Sequence, residues 1–193
     1  MDSLVLDIPA ILLNLFIVLL LVFLNGFFVA AEFALVKVRQ TRLQQLDGEG
    51  VVKAKYALTV TKNLDAYLSA TQFGITLASL ALGWVGEPAI SELIVEPIFH
   101  AFGLGPSLAI VHTISVIIAF AIVTFLHIVL GELAPKSFAI QKSEGTSLWL
   151  ALPLIVFYRI FRPFIAILNI CAAWVLRMLK VKPISENEAA HTE

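Results

Sequence analysis

Apolar residues along this chain gather in four long runs, Ile8 to Ala31, Leu64 to Val85, Ser107 to Leu130 and Ser147 to Leu179. The first three approach or pass twenty residues, the length a helix needs to cross the hydrocarbon core of a bilayer. They predict crossings over about residues 8–35, 64–85 and 107–131. The fourth run is different. Pro153 and Pro163 interrupt it, and Arg159 and Arg162 fall near its middle. Arg159, Arg162, Ala166, Asn169, Ala173, Arg177 and Lys180 recur at steps of three or four, a polar or small stripe opposite Leu, Ile, Phe and Trp. That pattern predicts an amphipathic helix over about residues 146–180, lying in the membrane interface as a belt.

Between the first two runs, residues 37–62 read as a helical hairpin. Asp47-Gly48-Glu49-Gly50 has turn composition, and helix-like spacing resumes at Val51. The fold class expected is therefore an all-α membrane protein. It has three transmembrane helices, a cytosolic helical hairpin and an interfacial belt, together a transmembrane domain over residues 1–183. Residues 184–193 are polar and acidic and read as a linker.

Composition strengthens the membrane assignment. Of 193 residues, 60% are hydrophobic and only 14% charged, outside the usual range of soluble domains. The net charge of −1 matters less than its distribution. Lys37, Arg39, Arg42, Lys53, Lys55 and Lys62 crowd the first connection, and Lys136 and Lys142 follow the third run. The second connection, residues 86–106, carries Glu87, Glu92 and Glu96 but no Lys or Arg. The positive-inside rule then places the N-terminus outside and the hairpin in the cytosol. Asp2 and Asp7 stand where a cleavable signal peptide would be basic. Cys171 is the lone cysteine, which excludes an intrachain disulfide and a cysteine-based zinc site.

Polar residues inside the runs carry the candidate chemistry. Glu132 lies in Leu130-Gly131-Glu132-Leu133-Ala134-Pro135-Lys136, at the edge of hydrocarbon, where a carboxylate is costly unless it pairs, titrates or binds a cation. Pro135 has no N–H, so the Gly131 carbonyl loses its α-helical partner beside that carboxylate. Hard cations such as Mg²⁺ and Ca²⁺ favour such oxygens. Pairing of Glu132 with Lys136, one turn on, is the plainer alternative.

In the first run Asn14, Asn25 and Glu32 project within about 20° of one another at helical spacing. Gly26, Ala30 and Ala34 open the same helix to close contact. The second run has a stripe of Ser69, Gln72, Thr76, Ser79 and Gly83, in which Thr76 and Ser79 read as interhelical glue. Ser69 is matched in depth to Glu132, with Asn25 somewhat deeper, so the three are expected to converge. His127 lacks clustered Cys or His neighbours and is a poor transition-metal candidate.

The segments Leu24-Asn25-Gly26-Phe27-Phe28-Val29-Ala30-Ala31-Glu32-Phe33-Ala34-Leu35 and Gly131-Glu132-Leu133-Ala134-Pro135-Lys136, in this order and spacing, resemble the membrane domain of the CorC/CNNM (cyclin M) magnesium transporter family. The resemblance spans nearly the whole chain and inclines to a bacterial, hemolysin-like CorC branch. It implies a homodimer in the bacterial inner membrane, each protomer with three crossings and a belt. Mg²⁺ would be held near the membrane middle in an inward-open cavity. Asn25, Ser69, Glu132 and the Gly131 carbonyl match the family's ion ligands. Ile75 departs from the pattern, because many members carry asparagine after the glycine matching Gly74, and so a ligand from that turn loses support. In the family a CBS-pair module, often nucleotide-binding, follows such a domain, and ATP is expected to act only through it.

These readings combine into a Mg²⁺ exporter driven by Na⁺ influx, with membrane lipid as its surroundings and no nucleic-acid partner in this segment. A dimeric, non-transporting membrane anchor for a cytosolic CBS module is the alternative. Enzymatic activity is not expected. An intramembrane hydrolase built on Ser69 and His127 would need motifs, such as G-x-S-x-G or H-E-x-x-H, that the chain lacks.

Overall fold

A computed structural model describes residues 8–102 and 109–179; the expected linker at 184–193 lies outside the described residues. Every element among them is helical. In chain order these are α1 (Ile8–Lys37), α2 (Gln40–Gly48), α3 (Val52–Thr61) and α4 (Leu64–Ile90), continued by a π-helical turn, Ser91–Val95, and α5 (Glu96–Ala101). Then come α6 (Ala109–Leu126), a π-helical stretch over His127–Leu133, α7 (Ala134–Gln141) and α8 (Ser143–Met178).

Four of the helical paths are long and apolar enough to cross a membrane: Ile8–Lys37, Leu64–Phe99, Ile110–Gln141 and Ser143–Met178. Much of their apolar surface faces outward, as with Leu12, Phe16 and Phe23 on α1 and Ile110, Ile117, Phe120 and Phe125 on α6. A soluble monomer rarely exposes so large an apolar surface; hydrocarbon accepts it. The chain is a multi-pass membrane protein.

The expected boundaries shift in instructive ways. The third path does not stop at its proline. Pro135 is the second residue of α7, directly after the π-helical stretch, where a missing N–H is tolerated. α8 is one uninterrupted helix through Pro153 and Pro163, close to the expected span of 146–180. Its length and apolarity are sufficient for a crossing. The α2–α3 joint forms where the turn residues predict it. Gly50 takes φ 85°, its N–H donates to the Asp47 carbonyl, and the Val51 N–H donates to Leu46, a Schellman closure that favours glycine.

Two aromatic and aliphatic cores hold the bundle. In one, Phe28 of α1 stacks within 4.6 Å of Phe157 of α8, and Tyr67 of α4 meets Tyr158 at 4.8 Å. Phe157 and Phe161, one turn apart, extend the cluster toward Phe73. In the other, Val18 and Val22 of α1 pack with Leu82 of α4 and Ala119 and Val123 of α6. Arg42 of α2 pairs with Glu144 at the start of α8 at 3.1 Å, tying the hairpin to that helix. The pair is exposed and contributes little by itself.

α1 and α4 run antiparallel and touch most closely where Phe28 lies flat over Gly74. A Cβ at Gly74 would sit 2.5 Å from the Phe28 ring. The ring cannot retreat, being buried against Phe27 and Phe157. Gly74→Ala should therefore lower stability by about 1–3 kcal/mol through overpacking. Gly83→Ala on the same helix, with no atom within 4 Å of its new Cβ, should not destabilise. Thermal unfolding of the two variants in detergent checks this, and equal midpoints would contradict the close-contact assignment.

Candidate functional site

Where the three apolar paths meet, one polar network crosses the bundle. Asn25, 1% exposed on α1, donates from Nδ2 to the Gly131 carbonyl at 2.9 Å. Its Oδ1 accepts from Ser79 Oγ of α4 at 3.2 Å. Ser79 Oγ also lies 3.3 Å from Nε2 of His127, the first residue of the π-helical stretch. With the serine proton given to Asn25, the imidazole is left as the donor to the serine oxygen.

Local sequence explains why these groups meet. Pro135 cannot return the α-helical hydrogen bond to Gly131, and the π-helical turn rotates that carbonyl toward α1. Gly131 itself permits the approach, since a Cβ there would lie 3.0 Å from His127 and 3.2 Å from Asn25 Nδ2. Gly26, next to Asn25, does the same for Pro135, whose ring would be 2.9 Å from its Cβ. Small residues thus bring backbone and amide within bonding distance.

A second polar contact lies nearer the hairpin. Thr71 Oγ1 donates to the Leu68 carbonyl at 2.8 Å and stands 3.4 Å from the Glu32 carboxylate. The contacts Asn25–Ser79, Phe28–Gly74 and Glu32–Thr71 fix the antiparallel register of α1 and α4.

Of the four expected ligands, the fold joins Asn25 and Gly131 directly. Glu132 is the next residue, with its side chain exposed on the bundle surface. Among the described residues it forms no ion pair; Lys136 instead lies 4.5 Å from the Phe33 ring centre. Ser69 donates to the Asp65 carbonyl at 3.0 Å on its own helix. The α1–α4 register sets it level with Ala34, about 13 Å along the helix axis from Asn25 at 1.5 Å per residue. The structure therefore groups Asn25 with Ser79 and His127, leaving Ser69 a separate position toward the hairpin.

Periodicity had placed Ser79 on the same stripe as Ser69, but stripes give a face and not a height. The height follows from the Phe28–Gly74 contact. No group of three or more His, Cys, Asp or Glu side chains that could hold a metal ion occurs among the described residues. The network offers amide, hydroxyl and carbonyl oxygens, a donor set suited to hard cations.

The arrangement defines a class: a polytopic helical membrane domain with an oxygen-rich polar layer buried between its helices. Residues 15–193 match the family described as "Cyclin M transmembrane N-terminal domain" (CNNM), and the chain belongs to that family. It is 48% identical to the UPF0053 protein YrkA of Bacillus subtilis over 181 residues, covering 94% of this chain and 41% of that protein. The UPF0053 protein YhdP of the same organism is 48% identical over 182 residues, 94% of this chain and 40% of YhdP. YugS, also of Bacillus subtilis, is 43% identical over 94% of this chain. The chain spans about two fifths of the length of these relatives. The family is not an enzyme family.

If the Asn25 amide bridges α1, α4 and the π-helical stretch, Asn25→Leu should lower stability by about 1–3 kcal/mol, leaving a buried carbonyl and hydroxyl without that partner. Ser79→Ala removes one bond and should cost less, about 0.6 kcal/mol. Thermal midpoints of both purified variants measure the order, and a neutral Asn25→Leu would exclude the bridge.

Proposed function

We propose that this domain carries a divalent cation, Mg²⁺, across a bacterial cell membrane, exporting it against Na⁺ influx. The observation that supports this reading most is the buried Asn25–Gly131 hydrogen bond, one residue from Glu132, whose side chain is exposed. A carbonyl deprived of its α-helical donor takes either a side-chain N–H or a cation. Asn25 offers both states: rotation of its amide exchanges the donating Nδ2 for the Oδ1 acceptor. In the hydrogen-bonded form the site is closed by its own amide. In the loaded form the oxygens of Asn25, Gly131 and Glu132 turn to the ion, and Ser79 follows Asn25.

Mg²⁺ demands near-octahedral oxygen at about 2.0–2.1 Å and keeps water where protein ligands are few. A single carboxylate per protomer offsets half its charge, so the site binds weakly enough to release. Ser69, Thr71 and Glu32, set toward the hairpin, form the hydrophilic approach to that layer. The Lys- and Arg-bearing hairpin and the Lys- and Arg-free second connection favour an N-terminus outside and an inward-facing approach. α8 serves as the interfacial belt around a homodimer. Any nucleotide acts through a CBS module outside this domain.

A second reading has its own support. Asn25 and Ser79 are already satisfied by interhelical hydrogen bonds, as in a purely structural dimeric anchor for a CBS module. Metal binding separates the two, because only a specific site stabilises by mass action. Mg²⁺ at one hundred times its Kd should raise stability by about 2.7 kcal/mol. Glu132→Gln should abolish both that shift and Na⁺-dependent Mg²⁺ flux in liposomes, at unchanged stability in metal-free buffer. A Glu132→Gln protein transporting at the wild-type rate would refute the carrier, and an absent Mg²⁺ shift in the wild type would leave the anchor.

A further inference from the structure

Behind the polar layer, on the opposite side of the α1–Pro135 contact, lies an open cavity of about 810 Å³. It is in the upper part of the range for small-molecule sites, roughly 300–1,000 Å³. Its walls along α1 are apolar: Phe23, Phe27 and Ala30 face Leu130 and Phe138, and Phe23, Leu130 and Phe138 are themselves open to the surrounding hydrocarbon. Phe23, Gly26, Phe27 and Ala30 are successive positions on one helix face, so the cavity follows α1 as a slot about 10 Å long at 1.5 Å per residue.

The other end is cationic. Lys142, Gly145, Thr146 and Trp149, at and just before the start of α8, close it. Lys142 is exposed and forms no ion pair among the described residues. Lys53 of α3, outside the lining itself, sits 3.0 Å from the ring centre of Trp149, which lines the cavity, and adds a second positive charge nearby. Lys142, in the N-cap position of α8, makes no side-chain cap hydrogen bond, and the carboxylate of that first turn, Glu144, is held by Arg42. Thr146 is 8% exposed, and its buried hydroxyl has no hydrogen-bond partner. Buried hydroxyls are nearly always paired, and this one lies at the cavity wall without a partner in the chain, as Ser91 and Ser115 do elsewhere.

We propose that this cavity binds an anionic diacyl phospholipid. One acyl chain lies in the apolar slot along α1, and the phosphate meets Lys142 at the start of α8, with Lys53 adding charge from beyond Trp149 and Thr146 turning its hydroxyl to an ester or phosphate oxygen. The passage from an apolar slot along α1 to a lysine-bearing end matches a lipid tail and an anionic headgroup. A protein partner of the same apolar character would leave the two lysines and the threonine unanswered. Because Gly26 and Pro135 form the wall between cavity and polar layer, a bound lipid braces the joint on which the Asn25–Gly131 contact rests.

The test uses the purified full chain in nanodiscs and detergent, with native mass spectrometry and thermal unfolding as readouts. Phosphatidylglycerol, phosphatidylcholine of the same acyl chains and inorganic phosphate are added separately. Phosphatidylglycerol should bind at least ten-fold more tightly than phosphatidylcholine and raise the melting temperature. Lys142→Gln should reduce that preference several-fold. Gly145→Trp adds a side chain where no atom lies within 4 Å of the new Cβ, so it should fill the cavity and lose the lipid adduct while keeping the unliganded melting temperature. Equal binding of the two lipids, a retained adduct in Gly145→Trp, or stabilisation by inorganic phosphate alone would overturn the proposal. So would a Gly145→Trp protein that dissociates into monomers, since a second copy would then be what covers the slot. Glu132→Gln should bind phosphatidylglycerol like the wild type, so loss of transport and loss of lipid are distinguishable.

Discussion

A polar group inside a bundle surrounded by hydrocarbon finds its partner on another helix or remains unsatisfied at a cost of kilocalories. Asn25 meets that constraint twice over, donating to the Gly131 carbonyl and accepting from Ser79. The two bonds connect α1 to the π-helical stretch and to α4, so one residue ties three helical segments at a common depth. Around it, Gly26, Gly74 and Gly131 remove the side chains that would hold the helices apart. Apolar faces make the helices stay together, but apolar contact is tolerant of sliding. The amide and the Phe28 ring seated on Gly74 together supply the register.

Proline acts here less as a breaker than as a redirector. Pro135 withdraws a donor from Gly131, and the chain absorbs the loss by passing through a π-helical turn and continuing to Gln141. The carbonyl so released turns toward the first helix, where asparagine waits. A leucine at position 25 or an alanine at position 131 would each remove the reason for this geometry, one chemically and one sterically. The proposed ion layer and the proposed lipid slot share this joint, one on each side of the Gly26–Pro135 contact. Whatever occupies one side therefore bears on the freedom of the other.

Stripe arithmetic fared unevenly, and for a physical reason. The helical hairpin, the three apolar runs and the long amphipathic fourth helix were legible, because burial and turn chemistry act locally on neighbouring residues. The pairing of Asn25 with the Gly131 segment was also within reach, since both stood out as unsatisfied polar groups at membrane depth. Ser79 and Ser69 were not separable. They share one face of α4, ten residues apart, and the choice between them depends on how far α4 slides along α1. That sliding is decided by a ring resting on a glycine, Phe28 on Gly74, which no periodicity encodes.

What the chain determined by itself is that it lives in a membrane, that it is helical, and that a carboxylate and a proline-freed carbonyl stand side by side at positions 132 and 131. These follow from composition, from run length and from the covalent limits of proline. Only the tertiary structure decided which hydroxyl joins Asn25, that the Glu132 side chain faces outward while its neighbour's carbonyl faces in, and that a cationic-rimmed slot opens behind α1. Each of those depends on contacts between segments up to a hundred residues apart, where steric fit sets the distance and sequence spacing carries no information about it.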